Sequence, residues 1–301
     1  DESESRGLGD VYKRQDIANS LFTSLLEKYE LSPHDISAVS YSQGPGLGPC
    51  LRVGAAIARG ISSRLDVPLI GVNHCVAHIE IGRQQCGCSD PVLLYVSGGN
   101  TQVIAHHEGR YRVLGETLDI GIGNMLDKFA RAQGIPFPGG PVIEKLAAEW
   151  LETQHNPSLE GLELPFAVRG MDLAFSGVMT AAQRLIDNGA DLGSVCWSLQ
   201  EHAFAACVEI AERALSHTGK KELLLGGGVA CNTRLRTMCE QMAEERESTS
   251  HAPPRMYCID NGTMIALLGF IELQEGRTTS YPESGIDQYL RTDQTQVTWA
   301  V

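Results

Sequence analysis

Pro91–Glu116 reads PVLLYVSGGNTQVIAHHEGRYRVLGE and holds three strand-like segments close together: Val92–Val96, Thr101–His106 and Tyr111–Leu114. Ser97-Gly98-Gly99-Asn100 between the first two has the composition of a tight turn, so the spacing predicts a hairpin there. Downstream, helical periodicity predicts helices around Gly123–Arg131 and Val142–Leu151 and a long one over Val195–His217. A buried strand is expected at Glu222–Leu225, running into Gly226-Gly227-Gly228 and a helix from about Ala230. A short strand at Met256–Ile259 and a helix from about Asp260 to Leu273 follow. Upstream, helical spacing begins at Asp16, Ile36–Ser42 alternates as a strand, and Gly44-Pro45-Gly46-Leu47-Gly48-Pro49 interrupts it. A helix over Leu51–Leu65, a strand over Leu69–Val72 and a helix from Asn73 complete that part. Strand–helix alternation reads as α/β, and strands gathered ahead of helices twice suggest two related lobes without a fixed-period repeat. His155–Met171 is loop-rich, and Tyr281–Val301 is polar and weakly patterned.

Composition bounds the function. The 301 residues are 43% hydrophobic and 20% charged, which supplies a core and excludes global disorder. Twenty-four Lys and Arg against 37 Asp and Glu give −13, too few cations for a large nucleic-acid footprint on this chain alone. No apolar run reaches the roughly 18–20 residues of a membrane span. The nine cysteines form no CxxC pair, and Cys86 and Cys88 stand too close for a typical zinc knuckle. An odd count of this kind suits a reducing compartment with buried thiols.

His74 and His78 are four apart, so on a helix both imidazoles share a face and can reach one metal ion. Cys75 stands where an HExxH metalloprotease has its glutamate, which removes that chemistry. Two imidazoles need a carboxylate from elsewhere, and Asp260 at a helix start is a candidate. Aspartate there is also an ordinary N-cap, and spacing alone leaves both readings open. The glycine turns at Ser97–Thr101 and Gly226–Gly228 each bring bare backbone to a strand end, as a phosphate requires or as plain turns do. Asp127, Glu144 and Asn232 flank those turns and could hydrogen-bond a ribose or base, or serve as caps and solvated helix residues.

Eight ordered blocks, GPGLGPCLRVGAAIARG, NHCVAHIEIG, LLYVSGGNTQV, LDKFAR, FPGGPVIEKLA, LAFSGV, ELLLGGGVACNTRLR and CIDNGTMIALLG, run from residue 44 to residue 269. Together they resemble the tRNA threonylcarbamoyladenosine synthase family in its archaeal and eukaryotic branch, the catalytic subunit of KEOPS. The resemblance spans Asp16 to about Leu273. It implies an actin-like ATPase fold of two lobes with a ligand cleft between them. It implies an acyltransferase moving threonylcarbamoyl from threonylcarbamoyl-adenylate to the adenosine 3′ of the anticodon, in tRNAs reading codons that begin with A. It further implies one divalent metal, iron first and zinc as the alternative, on His74, His78 and Asp260, with Tyr95 a further candidate. Tyr95, Val96, Ser97, Gly98 and Gly99 would contact the ligand's phosphate side. Asp127, Gly140, Glu144 and Asn232 would bind its nucleoside part. The nucleotide could also be ATP, the implied partners are tRNA and other KEOPS subunits including a small kinase or ATPase, and the implied location is the cytoplasm. With −13 on the chain, tRNA is expected to be held mainly by basic partners.

The expected organisation is a disordered leader (1–15), a first lobe (16–90), a second lobe (91–259), a helix returning to the first lobe (260–280) and a polar tail (281–301). Residues 1–15 do not resemble the family's opening strand–turn–strand unit, so the first lobe is expected to be truncated. Asn124 departs from the acidic character expected near the adenosine pocket. The rival readings are an actin-like ATPase or sugar kinase, and a non-catalytic nucleotide-binding scaffold. The two histidines and Asp260 discriminate against the kinase, since such kinases hold Mg²⁺ on carboxylates and phosphates, and bound transition metal with threonylcarbamoyl transfer would reject the scaffold.

Overall fold

The computed structural model describes residues 20–299, which divide into two units: residues up to Ile81 with those from Asn261 on, and Gly82–Asp260. The helix expected from Asp16 is seen over 20–28 (α1), and the 1–15 leader lies outside the described residues.

In the first unit Val39–Gly44 (β1) and Leu69–Asn73 (β2) pair in parallel, Val39 opposite Leu69 and Ser42 opposite Val72. Parallel neighbours need a crossover, and Gly48–Leu65 (α2) supplies it. Pro49 sits in its first turn, where a missing N–H costs no intrahelical bond. Ala55 and Ala58 of α2 bury against Tyr41 and Leu69. Gly262–Gln274 (α10) packs on both strands, and at Gly269 it comes so close that a Cβ would lie 1.8 Å from Ser40 Oγ. The polar tail has only short turns at Tyr281–Glu283 and Thr292–Gln294, yet it is tied to this sheet. Thr279 N–H donates to Leu69 O at 2.7 Å, Asp287 N–H to Gln43 O at 2.9 Å, and Asn73 Nδ2 to Arg291 O at 2.9 Å. His74–Cys86 (α3) starts directly after β2.

The second unit is built on a five-stranded mixed sheet. Val92–Val96 (β3), Thr101–His107 (β4) and Arg110–Glu116 (β5) form the expected antiparallel meander. Val168–Arg169 (β6) and Asp172–Leu173 (β7) make a small hairpin beside the loop-rich stretch. Glu222–Gly226 (β8) runs parallel to β3, and Thr249–His251 (β9) parallel to β8, giving the order β5-β4-β3-β8-β9. The helices are Ile122–Ala132 (α4), Gly140–Glu152 (α5), Ser176–Asp187 (α6), Leu192–Thr218 (α7) and Thr233–Glu245 (α8). Asp191 caps α7 through Ser194 N–H at 2.9 Å, and Gly219 ends it at φ 70°. Its apolar face, with Val195, Leu199, Phe204 and Ile210, closes the core over β3 and β4. Trp150 of α5 stacks on Trp197 at 5.0 Å; Trp197 is buried in the core and Trp150 is half-buried against it.

Two local expectations change. Met256–Ile259 is not a strand: Arg255–Cys258 is one helical turn (α9), because Pro253-Pro254 cannot donate to a ladder and Pro254 pre-sets a helix entry. The strand of that region is Thr249–His251 instead. The helix expected from Ala230 is split into a 3₁₀ turn over Gly228–Cys231 and α8, since Asn232 has extended backbone and caps α8. Among the described residues no helix is long and apolar enough to cross a membrane.

Candidate functional site

Asn73 closes the first turn of α3: its Oδ1 accepts Cys75 N–H at 3.0 Å and Val76 N–H at 3.3 Å. That cap sets the helical phase, so His74 and His78 stand one turn apart with ring centroids 4.9 Å from each other. His78 is buried at 2% exposure and His74 is half-buried. Asp260 is exposed and is bonded to Asn261, the residue at which the chain rejoins the first unit. Asn261, not Asp260, is the N-cap of α10, its Oδ1 accepting Met264 N–H at 2.9 Å. This removes the cap as the explanation of Asp260. His74 and His78 offer two imidazole nitrogens, and Asp260, one residue ahead of the first unit's return, offers a carboxylate oxygen. Two nitrogens and a carboxylate oxygen fit a divalent transition metal better than Mg²⁺ or Ca²⁺, which favour all-oxygen shells.

The remaining sequence candidates lie in the second unit, where β3 and β8 end side by side with Tyr95 opposite Gly226. Open α/β sheets bind ligands at such strand ends. Tyr95 and Val96 are buried, while Gly98 and Gly99 are exposed. The Ser97–Asn100 turn is tied by Ser97 N–H to Asn100 O at 2.8 Å and packs on the start of α4. Gly123 N–H donates to Ser97 O and Asn124 N–H to Gly98 O, while Thr101 Oγ1 accepts Ile122 N–H at 2.8 Å. Gly227 presses onto the same turn with φ 91°, and a Cβ there would lie 2.4 Å from Val96 O. Only glycine meets both demands.

Asp127 Oδ1 accepts Gly139 N–H at 2.7 Å and Gly140 N–H at 3.3 Å, so α4 holds the turn that starts α5. Glu144, one turn into α5, accepts Thr233 N–H at 2.7 Å at the start of α8. Asn232 is buried, caps Leu235 N–H at 3.1 Å and donates to Gln200 Oε1 at 2.8 Å. The structure thus joins Asp127, Gly140, Glu144 and Asn232 in one chain of contacts beside the two glycine turns. Gln200 escaped the sequence reading because a glutamine inside a long helix looks like a solvated one. Asp127→Ala is expected to free two amides and lower stability by about 1–2 kcal/mol, measured by urea unfolding. An unchanged midpoint would show that the turn holds without it.

Cys231 was also invisible in sequence. Its thiol hydrogen-bonds Cys258 beside Arg236 and Arg255, which holds it down to about 6, while Cys258 is pushed the other way by that bond and by burial. Alkylation of Cys231 by iodoacetamide is expected to reach its plateau rate by about pH 7, well below a free thiol near 8.5. A rate still climbing at pH 9, followed by peptide mass spectrometry, would contradict this.

Comparison with known proteins gives these residues a context. Residues 13–267 match the family tRNA N6-adenosine threonylcarbamoyltransferase. The chain is 52% identical over 268 residues to the protein of that name from Methanocella arvoryzae, covering 89% of this chain and 80% of that one. It is 53% identical over 264 residues to a probable bifunctional tRNA threonylcarbamoyladenosine biosynthesis protein of Methanocorpusculum labreanum, covering 88% of this chain. The chain spans about half the length of such bifunctional relatives, 49% in that case. Among solved structures, full-length HypF in a phosphate- and nucleotide-bound form has a TM-score of 0.62 at 11% identity, over 83% of this chain and 41% of its own. HypF of T. kodakarensis has a TM-score of 0.58 at 14% identity, over 78% and 40%. At such identities the likeness concerns the fold alone, the α/β fold of the actin-like ATPases. Motif order, fold and the match over residues 13–267 agree, and the chain belongs to the tRNA N6-adenosine threonylcarbamoyltransferase family.

Proposed function

We infer that this chain transfers the threonylcarbamoyl group of threonylcarbamoyl-adenylate to the exocyclic amine of the adenosine 3′ of the anticodon, in tRNAs reading codons that begin with A. The observation that carries the reading is the His74–His78 pair, one turn apart on α3 with ring centroids 4.9 Å from each other, in a chain 52% identical to a relative named for this activity; Asp260 would be the third ligand. These three residues would hold one divalent ion, Fe²⁺ or Zn²⁺, with Tyr95 as a further ligand candidate. When bound, the ion supplies Lewis acidity for phosphate and carbamoyl oxygens.

The donor is a mixed anhydride, so it is already activated and the adenylate is its leaving group. The chain therefore needs no nucleophile of its own. Its residues bind and orient. The Tyr95–Gly99 segment would face the phosphate with exposed backbone at Gly98 and Gly99. Asp127, Gly140, Glu144 and Asn232 would receive the nucleoside, carboxylates suiting ribose hydroxyls because each accepts two hydrogen bonds. The partners in this reading are tRNA and the other KEOPS subunits, including the small kinase or ATPase, in the cytoplasm. The charge of −13 supports a division of labour in which basic partners hold much of the tRNA.

The test is incorporation of radiolabelled threonine into tRNA by this chain with partner subunits and a source of the adenylate. Label at the adenosine 3′ of the anticodon is the expected result. ATP-dependent phosphorylation of a small substrate with no threonine incorporation would replace this reading with the kinase one.

A further inference from the structure

The second unit contains another gathering of metal-ligating side chains, at the end of the sheet where β3 and β8 begin. Cys88 is buried just ahead of β3, its N–H bonded to Arg83 O at 3.1 Å. Glu222 is the first residue of β8, and His251 the last of β9. The strands are in register with Glu222 opposite Thr249 and Leu224 opposite His251, which puts Glu222 and His251 on one face. One ligand atom from each of Cys88, Glu222 and His251 lies within 4.8 Å of the other two.

The surroundings hold these groups in place. Glu222 Oε2 accepts Ser89 N–H at 3.0 Å, Ser89 Oγ–H at 2.9 Å and Asp90 N–H at 2.9 Å, while Oε1 has only a long 3.3 Å bond from Ser89 N–H. One carboxylate oxygen is therefore fixed by the loop and the other is the better placed to accept a cation. Thr249 Oγ1 lies 2.9 Å from His251 Nε2, an outer partner of the kind that orients ligating imidazoles. The nearby cations are engaged elsewhere: Lys220 pairs with Asp90, Lys221 Nζ reaches Arg246 O at 3.5 Å, and Arg83 Nη2 donates to Ser89 O at 2.7 Å. A cavity of about 430 Å³, lined by Ser89, Asp90, Lys220 and Glu222, opens beside the carboxylate and gives an ion a route in.

We propose that Cys88, Glu222 and His251 form a zinc site, separate from the histidine pair. A mixed sulfur, nitrogen and oxygen set suits Zn²⁺ and excludes Mg²⁺ and Ca²⁺. Zinc–ligand distances of about 2.0–2.3 Å place tetrahedral ligand atoms about 3.4 Å apart, so closure asks each side chain for a shift on the order of an ångström. The ion would tie the loop before β3 to β8 and to the edge strand β9, which pairs through only three residues. Water would take the fourth position. The inference does not depend on the transfer activity.

Cobalt is the probe, because thiolate-to-Co²⁺ charge transfer gives a near-ultraviolet band that the sulfur-free His74, His78 and Asp260 group cannot produce. In the whole chain one such band is expected, with the amplitude of a single thiolate-bound ion per chain and displaced by Zn²⁺. Cys88→Ser should abolish it. His251→Gln and Glu222→Gln should each weaken Co²⁺ binding at this band at least tenfold, and Zn²⁺ should raise the Tm of the parent by several degrees more than that of His251→Gln, which keeps only the histidine-pair site. Absence of the band, its survival in Cys88→Ser, or unchanged affinity in His251→Gln would overturn the proposal. Should Cys88→Ser not fold, the His251→Gln titration decides alone.

Discussion

Replacing His78 by alanine is expected to lower threonylcarbamoyl transfer about a thousandfold and to strip the bound metal. Lewis-acid stabilisation is worth several kcal/mol, and each tenfold in rate is about 1.4 kcal/mol. His78 is buried one turn from His74, so its loss leaves one imidazole and one exposed carboxylate, too few protein ligands for tight binding. The vacated space should cost stability as well, about 1–3 kcal/mol, which circular dichroism and a urea titration would separate from the chemical defect. His107→Ala, at an exposed position on β4, is the control and should keep both metal and transfer. Metal content by elemental analysis with transfer within tenfold of the parent in His78→Ala would remove the histidines from the reaction.

Glu272→Gln is expected to stabilise the protein, and only above mildly acidic pH. Glu272 lies on α10 with 8% exposure, and burial raises its carboxyl from the ordinary 4.5 to about 7, against a weaker opposing pull from Arg277. A folded pKa above the unfolded one means that the folded chain binds more protons between those values. Stability is therefore full below about pH 4.5, falls as pH rises through the window to about 7, and is level beyond it. At about 1.4 kcal/mol per pKa unit, and discounting for residual solvent contact, the ionised carboxylate costs the fold roughly 2–3 kcal/mol at pH 8. The glutamine variant should exceed the parent by that amount at pH 8 and match it at pH 4.5. Parallel stability curves for the two proteins would show that Glu272 ionises in the fold as freely as in water.

Much of this was legible from local pattern. The meander over β3, β4 and β5 was readable because alternation and turn chemistry act within a few residues. His74 and His78 were readable because a helix repeats every 3.6 residues, and their phase needs only the Asn73 cap. What depends on distant contacts was not readable. Asp260 and Asn261 are both good caps, and only the backbone decides that Asn261 takes the role. Met256–Ile259 looks like a strand until the prolines ahead of it are placed, and the three-residue β9 is too short to show a period. Asn232 was legible as a cap or a ligand contact, but its bond to Gln200, 32 positions earlier, was not.

The close seating of Gly269 on Ser40 has a consequence for how the protein is made. The ribosome delivers β1 and β2 early, but α10, which lies against them, emerges only after all of Gly82–Asp260 has been synthesised. At about 5–20 residues per second that interval is roughly 10–40 s. Through it the two-stranded sheet waits with the Ser40 face uncovered while the second unit's sheet has its own strands to hand. Translation order thus makes the second unit the earlier to mature and leaves the first to be finished by α10, which leaves the ribosome after it.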